Sequence, residues 1–229
     1  MLKDERMSAI CGMVRDGAVV CDVGTDHAII PAELLKNGRC KRAVITDISA
    51  PSLEKGIKNI KKEGLSDKVS AFLANGTLGA DLEGVTDIII AGMGGELIAE
   101  ILSQDERLKR HGLRFILQPM SRAHILRKYL FENGFETVYE VKAAVERRIY
   151  AVINAEYTGI CGRPCLRDIY LGAGADAGKE TDRRYAEKEL RALKTKLSGI
   201  EKSGSPERHA AERERVNRLI GEITGFLGF

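Results

Sequence analysis

The first 158 residues alternate short apolar runs with segments of helical periodicity, and this alternation constrains the fold more than any other feature. Short runs rich in Ile and Val, separated by helical patterns, are typical of βαβ units in a parallel sheet. The runs are apolar at nearly every position, which indicates strands that are covered on both faces. The sequence therefore predicts an α/β fold with helices on both sides of a sheet.

Seven strands are expected. The five that should run parallel cover residues 18–24, 42–47, 69–73, 87–92 and 113–118. Two more, at 136–141 and 149–153, follow one another directly and should be antiparallel. A seven-stranded, mostly parallel sheet closed by such a pair is typical of Rossmann-like class I methyltransferases that use S-adenosyl-L-methionine (SAM). Dinucleotide dehydrogenases normally keep the sheet parallel.

Helices are predicted between these strands from their periodicity and from residues that favour the start or the end of a helix. An extra covering helix should occupy residues 2–14, and a crossover helix should begin near Pro51 and stop at Gly64. Another is expected over 121–133, with Ser121 as its N-cap. These helices would cover the two faces of the sheet.

The composition changes after residue 158, which divides the chain into a domain at 1–158 and an appendage at 159–229. Residues 159–178 are rich in glycine and indicate a linker. Beyond them, two apolar stripes with steps of three and four residues predict a helical hairpin with a coiled-coil-like seam. The stripes are formed by Leu190, Leu193, Leu197 and Ile200, and by Val216, Leu219, Ile220 and Ile223.

Composition excludes several classes of protein. The chain has 229 residues, of which 44% are hydrophobic and 30% charged, so it is neither disordered nor collagen-like. No apolar run reaches the roughly 20 residues of a membrane helix, and no signal-peptide pattern opens the chain. Five cysteines without CxxC spacing suit free thiols, so we expect a cytoplasmic protein with no disulfide, no metal site and no membrane partner.

The net charge of +3 is unevenly distributed. Residues 1–158 hold 22 basic and 22 acidic residues, whereas residues 159–229 hold 14 basic and 11 acidic ones. The surplus therefore lies in the appendage, where it would suit an anionic partner or simply a solvated helical surface.

The segment 22–27 (DVGTDH) ends the first predicted strand and opens a helix, which is where open α/β sheets bind ligands. A dinucleotide site would carry G-x-G-x-x-G there, but this chain has Asp26 in place of the second glycine. A carboxylate would repel a pyrophosphate, whereas SAM has no phosphate and carries a sulfonium and an ammonium. The loop thus favours SAM over NAD, the alternative being a tight turn with polar caps.

Two further strand ends supply polar groups to the same edge of the sheet. Asp47, followed by Ile48, ends the second strand, and a carboxylate there can accept hydrogen bonds from ribose hydroxyls. Asn75 and Gly76 follow the third strand, where an amide could hold an adenine ring or simply form a turn. These four residues are candidates for cofactor binding.

The ends of the fourth and fifth strands would line the acceptor side of that crevice. Ala91, Gly92 and Met93 supply small residues before a helix N-terminus, where a flat base could approach a methyl donor. Gln118 lies at the end of the fifth strand. This arrangement predicts a transferase pocket.

Three of these segments together resemble the bacterial TrmK family of tRNA (adenine-22-N1)-methyltransferases. They are 22–27 (DVGTDH), 90–95 (IAGMGG) and 117–119 (LQP), and a basic helical hairpin follows the core as it does in that family. The likeness spans the whole chain. The chain departs from the family pattern at Met120, where the family usually has Asn, and at Asn75, where Asp is frequent.

The resemblance implies a SAM-dependent enzyme that methylates N1 of adenine 22 in tRNA. Asp26 would stabilise the purine as it becomes cationic, His27 would orient the loop or the base, and Gln118 would hydrogen-bond the adenine edge. The implied cofactor-binding residues are Asp22, Gly24, Asp26, His27, Asp47, Ile48, Asn75, Gly76, Ala91, Gly92 and Met93.

A tRNA substrate needs cationic contacts to its phosphates. The candidate RNA-binding residues are Arg6, Arg147 and Arg148 in the core, and Arg183, Arg184, Arg191, Arg208, Arg213 and Arg215 in the hairpin. Since the seam could close within one chain, a monomer is expected.

Alternative functions remain open at this stage. The chain could methylate another RNA, or it could be a catalytically silent SAM-fold protein that binds RNA. A pyrimidine-C5 methyltransferase would need a nucleophilic cysteine near the pocket, whereas the Pro164–Cys165 pair lies beyond the core. A NAD-dependent oxidoreductase is disfavoured by Asp26.

Overall fold

The computed structural model describes residues 4–202 and 209–229, and it separates into two compact units, Met1–Arg163 and Pro164–Phe229. The division falls inside the glycine-rich segment 159–178. Each unit has its own buried core, so each is considered separately.

The first unit contains a seven-stranded sheet in the order β3-β2-β1-β4-β5-β7-β6. Its strands are β1 (Ala18–Val23), β2 (Cys40–Asp47), β3 (Val69–Leu73), β4 (Asp87–Gly94), β5 (Arg114–Ser121), β6 (Phe135–Val145) and β7 (Arg148–Tyr157). The first five strands are parallel, and β7 pairs antiparallel with both β5 and β6. The predicted fold class is confirmed.

The strand order reverses between β1 and β4, because the chain first winds outward through β2 and β3 and then returns to the other side of β1. In open α/β sheets a crevice forms at such a reversal, outside the carboxyl ends of the strands. This topology places the candidate loop 22–27, which follows β1, beside the end of β4.

Five α-helices cover the sheet: α1 (Glu5–Met13), α2 (Ile29–Lys36), α3 (Ala50–Lys62), α4 (Gly95–Gln104) and α5 (Ala123–Glu132). Short 3-10 turns lie at Ser66–Lys68 and Glu106–Leu108. The N-terminal helix packs on β5, β6 and β7. It starts at an N-cap, Asp4, whose carboxylate accepts a hydrogen bond from the Met7 backbone N–H at 2.9 Å.

The predicted start of the helix after β5 was wrong. Ser121 belongs to β5, and the residue that precedes α5 is Arg122, whose φ of 52° lies in the left-handed region. Gly95 explains why the chain turns so tightly here, since a Cβ atom on it would lie 2.4 Å from the Arg122 carbonyl oxygen. Close packing of two backbones, rather than a side-chain cap, sets the start of α5.

A buried ionic cluster joins α5 to β6. The Arg127 guanidinium donates to both carboxylate oxygens of Glu140 at 2.9 and 2.7 Å, and Lys142 also donates to Glu140. Burial would raise the pKa of the Glu140 carboxyl, but the two neighbouring cations outweigh it and hold that pKa below its ordinary value. Glu140 is therefore ionised and fully paired.

The second unit consists of helices α6 (Leu166–Leu171), α7 (Glu180–Glu201) and α8 (Ala210–Leu227) in its described part. The predicted hairpin is present, with Leu190 and Leu193 of α7 and Val216 and Leu219 of α8 buried. The segment predicted as an irregular linker contains α6, which packs on both long helices. Its side chains of Ile169, Tyr170 and Leu171 are buried, and this apolar contact outweighs the local glycine content.

Within residues 4–202 and 209–229, no helix is both long and apolar enough to cross a membrane.

Candidate active site

A cleft of about 170 Å³, partly open to solvent, lies at the carboxyl ends of β1, β4 and β5, where the strand order reverses. Its lining residues come from α1, the loop after β1, the start of α2 and the ends of β4 and β5. They are Arg6, Met7, Ile10, Asp22, Gly24, Thr25, Asp26, His27, Ile29, Ile30, Ala91, Gly92 and Gln118.

The loop after β1 is held in a strained, tightly packed path. Gly24 has φ of 70°, and a Cβ atom on it would lie 2.1 Å from the Met93 Cε atom. Asp26 and Ala28 also have positive φ, which is uncommon for residues that carry a side chain. The backbone N–H groups of Gly24 and Thr25 both donate to the Thr46 carbonyl oxygen, at 2.8 and 3.0 Å. The loop is thus fixed to β2.

Asp22 is the buried acid of the cleft. Its carboxylate accepts a hydrogen bond from the Thr25 hydroxyl at 2.7 Å. Burial is the largest cause of the raised pKa of Asp22; the Thr25 hydrogen bond lowers the pKa and the nearby charge of Asp47 raises it, and the net result is a pKa of about 7. A cationic group bound in the cleft would favour the ionised form of this carboxyl.

Asp47 joins the loop to the start of α3. One carboxylate oxygen accepts from the Ser49 N–H at 2.8 Å and the other from the Asp26 N–H at 3.3 Å. Each oxygen keeps a lone pair that could accept a further hydrogen bond. Ile48 beside it is 72% exposed, so its side chain can cover a ligand but contributes little to the core.

Asp26 and His27 lie at the solvent-exposed mouth of the cleft. The Asp26 carboxylate is 3.4 Å from the His27 Nε2 atom and 3.5 Å from the Nζ atom of Lys55 on α3. About half of each of these three side chains is exposed. Lys55 was not among the predicted site residues, because nothing in the sequence connects α3 with the loop.

Asn75 and Gly76 follow β3, the strand that pairs with β2 and ends beside Asp47. The Gly76 carbonyl accepts a hydrogen bond from the Thr46 hydroxyl at 2.8 Å, and the exposed Asn75 amide donates to Gln104 at 3.4 Å. Neither residue lines the cleft itself; Asp47, Ile48 and Met93 are outside its lining too.

Gln118 has a different environment from the one predicted. Its side chain is fully buried, and its Oε1 atom accepts from the Gly92 N–H at 3.2 Å and from Arg6 Nη1 at 3.3 Å. Its Nε2 atom is 3.6 Å from the Met120 sulfur. In this arrangement Gln118 holds Arg6 and the β4 end in place, below the cleft surface.

Arg6, predicted as a surface contact to phosphate, lies in the wall of the cleft. Its guanidinium contacts Gln118, is 3.1 Å from the Met120 sulfur, and lies 5.6 Å from the centroid of the Tyr150 ring. Asp4 accepts from Nη2 at 3.4 Å. This cluster has no signal in the sequence, because Arg6 and Gln118 are separated by 112 residues along the chain.

The other predicted RNA-binding arginines vary in exposure. Arg147 and Arg148 are exposed at the turn between β6 and β7, and Arg213 and Arg215 are exposed on α8. Arg183 donates to the Leu227 carbonyl oxygen at 3.3 Å, Arg184 is half-buried, and Arg191 is 3.9 Å from Glu187. Arg208 lies outside the described residues.

No cluster of three or more potential metal ligands occurs in residues 4–202 and 209–229. Cys11, Cys21 and Cys40 are buried, and burial raises the pKa of the Cys40 thiol to about 11. Cys165 belongs to the second unit and accepts a hydrogen bond from the Asp168 N–H at the start of α6. It is not one of the residues that line the cleft.

Comparison with known proteins identifies the class. A profile of the methyltransferase domain family matches residues 3–153, which include the whole cleft lining. The chain therefore belongs to the methyltransferase domain family.

Within that family the chain is similar to proteins named TrmK or tRNA (adenine(22)-N(1))-methyltransferase. It is 31% identical over 153 residues to the tRNA (adenine(22)-N(1))-methyltransferase of Bacillus subtilis. That alignment covers 66% of this chain and 64% of the B. subtilis protein. The crystal structure of B. subtilis TrmK itself, at 22% identity, has the same fold, with a TM-score of 0.88 over 99% of each chain.

Similarity to Streptococcus pneumoniae Sp1610, a protein proposed to be a tRNA (m1A22) methyltransferase, extends along the full chain. The identity is 29% and the TM-score 0.84, covering 99% of this chain and 100% of that one. The same S. pneumoniae protein has also been solved in complex with SAM, and that structure matches at 28% identity with a TM-score of 0.83.

Proposed function

We propose that this protein transfers a methyl group from SAM to N1 of adenine at position 22 of tRNA. The observation that carries the proposal is the cleft at the strand reversal, where Asp22 and the Gly24 loop face the ends of β4 and β5. Relatives named for this reaction share both this fold and the family.

The residues in and beside the cleft fit SAM by charge and by shape. Asp22 is a buried carboxylate suited to a cationic group, and Asp47 has lone pairs left for the two ribose hydroxyls. Gly92 has φ of 82°, and the space where its Cβ would stand is open, which leaves room for a ligand beside the β4 end. When bound, SAM would supply an electrophilic methyl group on a positively charged sulfur.

The acceptor chemistry requires positioning more than proton transfer. Adenine N1 is neutral and has an available lone pair, so the residues at the cleft need only align it and accommodate the positive charge that moves onto the purine. Asp26 is the exposed carboxylate at the cleft mouth, where an extruded base would enter. We assign it to stabilise the cationic purine and His27 to orient it.

Binding of tRNA requires contacts that recognise a polyanion. Arg213 and Arg215 are exposed on α8, with Arg147 and Arg148 exposed on the core. Phosphate contacts of this kind position an enzyme, while the pocket selects the base. A tRNA substrate and free cysteines also favour action in the cytoplasm, and we expect the protein to act as a monomer.

The reaction is tested by incubating the protein with unmodified tRNA and SAM that carries a deuterated methyl group, followed by nucleoside mass spectrometry. Deuterated N1-methyladenosine is the expected product. Deuterated N6-methyladenosine, or a methylated pyrimidine, would show a methyltransferase with a different acceptor. Absence of any deuterated nucleoside with a protein that binds SAM would favour the catalytically silent alternative.

A further inference from the structure

The proposed function leaves one cation of the cleft without a role. Among the described residues that line the cleft, Arg6 is the one lysine or arginine, whereas Asp22 and Asp26 are acids. Its side chain is 19% exposed. A cation placed this deep would be costly unless it is paired, and the acids of the loop are already engaged with Thr25, Lys55 and His27.

The hydrogen bonds of Arg6 leave one edge of its guanidinium available. Nη1 donates to Gln118 and Met120, and Nη2 has a 3.4 Å contact to Asp4. The Nε atom is buried and has no hydrogen-bond partner among residues 4–202 and 209–229. An unsatisfied buried donor costs about 1–3 kcal/mol, so a ligand that accepts from Nε would be favoured.

The neighbours of Arg6 fix its orientation. Gln118 can present only its oxygen here, because the Gly92 N–H and the Arg6 Nη1–H are both donors. The Tyr150 ring lies against the guanidinium from β7. Neither neighbour carries a charge, so they hold Arg6 in place without neutralising it; Asp4, 3.4 Å from Nη2, is its anionic neighbour in the described part of the chain.

SAM carries one anionic group, the carboxylate of its methionine portion, and two cationic ones. Asp47 on β2 and Arg6 beside β5 stand at opposite ends of the crevice, with β1 and β4 between them. A ligand with its ribose at Asp47 would therefore extend its methionine end towards Arg6. Carboxylates pair with guanidinium groups through two parallel hydrogen bonds, which the Nε edge allows.

Resting on the proposed function, we propose that Arg6 binds the methionine carboxylate of SAM and that Gln118 is a positioning residue that holds Arg6 for this contact. The assignment replaces two predicted roles, those of Arg6 as a phosphate contact and of Gln118 as a contact to the base. It also gives the N-terminal helix α1 a function in cofactor selection.

Decarboxylated SAM provides the matched probe, because it keeps the sulfonium and the amine but lacks the carboxylate. Calorimetric titration should show that the full-length protein binds SAM at least about tenfold more tightly than decarboxylated SAM. In Arg6→Met the two ligands should bind within twofold of each other, and Arg6→Lys should recover part of the preference. Thermal unfolding of each variant checks that the fold is intact.

Gln118→Glu tests the positioning role without removing bulk. The new carboxylate would pair with Arg6 and compete with the ligand, so binding of SAM should weaken about tenfold while binding of decarboxylated SAM stays within twofold of the original value. A residue with a purely structural role would change the affinity for both ligands by the same factor.

Three outcomes would overturn the inference. Equal weakening of both ligands in Arg6→Met would make Arg6 structural. An unchanged preference for SAM in that variant would place the carboxylate elsewhere, and a loss confined to tRNA affinity would make Arg6 a phosphate contact. If the unaltered protein binds neither ligand, the proposed function itself fails, and that result is distinct from the other three.

Discussion

At the scale of single residues, the buried acid Asp22 makes cofactor binding depend on pH. Its pKa of about 7 means that the carboxyl is half protonated near neutrality, whereas a cationic ligand requires it to be ionised. The dissociation constant for SAM should therefore fall about tenfold between pH 6 and pH 8. Titration across this range should give that slope for the unaltered protein and a flat profile for Asp22→Asn; a slope that persists in the variant would assign it to another group.

The same raised pKa has an effect on folding stability. The folded protein binds a proton at Asp22 that the unfolded chain has already released between about pH 4 and pH 7, so this residue lowers stability as pH rises through that window. The Asp22→Asn variant should lose that component. The free energy of unfolding of Asp22→Asn, relative to that of the unaltered protein, should therefore increase as the pH rises from 4 to 7.

Glycine is required at position 24 by close packing as well as by the conformation of the backbone. Gly24 and Gly38 both have φ of 70°, but a Cβ atom at Gly24 would meet Met93 Cε at 2.1 Å, whereas nothing lies within 4 Å of one at Gly38. Both alanine variants should lose about 1–2 kcal/mol for the left-handed backbone. Gly24→Ala should lose more and also weaken SAM binding. Equal loss in the two variants, measured by denaturant unfolding, would contradict the packing argument.

At the scale of secondary-structure elements, the buried cluster of Arg127, Glu140 and Lys142 joins α5 to the edge strand β6. Glu140→Gln would remove the charge that both buried cations contact and should cost about 3–5 kcal/mol of unfolding free energy. Glu132→Gln on the same helix is the matched control, since its pairing with Lys128 is half exposed and should be worth less than about 1 kcal/mol. Similar losses of unfolding free energy in both variants would show that the buried cluster stabilises the fold no more than an exposed ion pair does.

How far the elements can be predicted depends on whether their signal is local. The apolar runs that became β1 to β7 carry their own signal, whereas the strand order and its reversal between β1 and β4 were not predicted. The start of α5 was missed because it is set by Gly95 packing on the backbone of residue 122. The helix α6 was missed because glycine around it suggested a linker.

The same distinction applies to the site. Asp22 and Asp47 were both singled out because each stands in a local motif at a strand end; Asp22 lines the cleft, whereas Asp47 lies outside its lining. The contacts of Arg6 with Gln118, and of Lys55 with Asp26, join distant parts of the chain, so no spacing in the sequence reveals them.

At the scale of the whole molecule, binding of a polyanion should depend on exposed arginines that are not among the residues lining the cleft. Replacing Arg213 and Arg215 on α8 with Glu should raise the KM for tRNA and leave the affinity for SAM unchanged. The salt dependence of tRNA binding should become weaker, with about two fewer counterions released. Lys41→Glu is the control, since that exposed residue lies near the start of β2, at the opposite edge of the sheet from the cleft. Unchanged tRNA affinity in the double variant would exclude α8 from the RNA-binding surface.

The proposed reaction methylates one atom, N1 of adenine at position 22 of tRNA, and primer extension tests it most directly. Methylation of N1 blocks the Watson–Crick edge of adenine, so reverse transcriptase should stop there. After incubation with the protein and SAM, a tRNA with adenine at position 22 should give a SAM-dependent stop at that nucleotide, and a guanine-22 transcript should give none. A stop at another position would contradict the proposed reaction. Full-length extension on both transcripts, with a protein that binds SAM, would also contradict it.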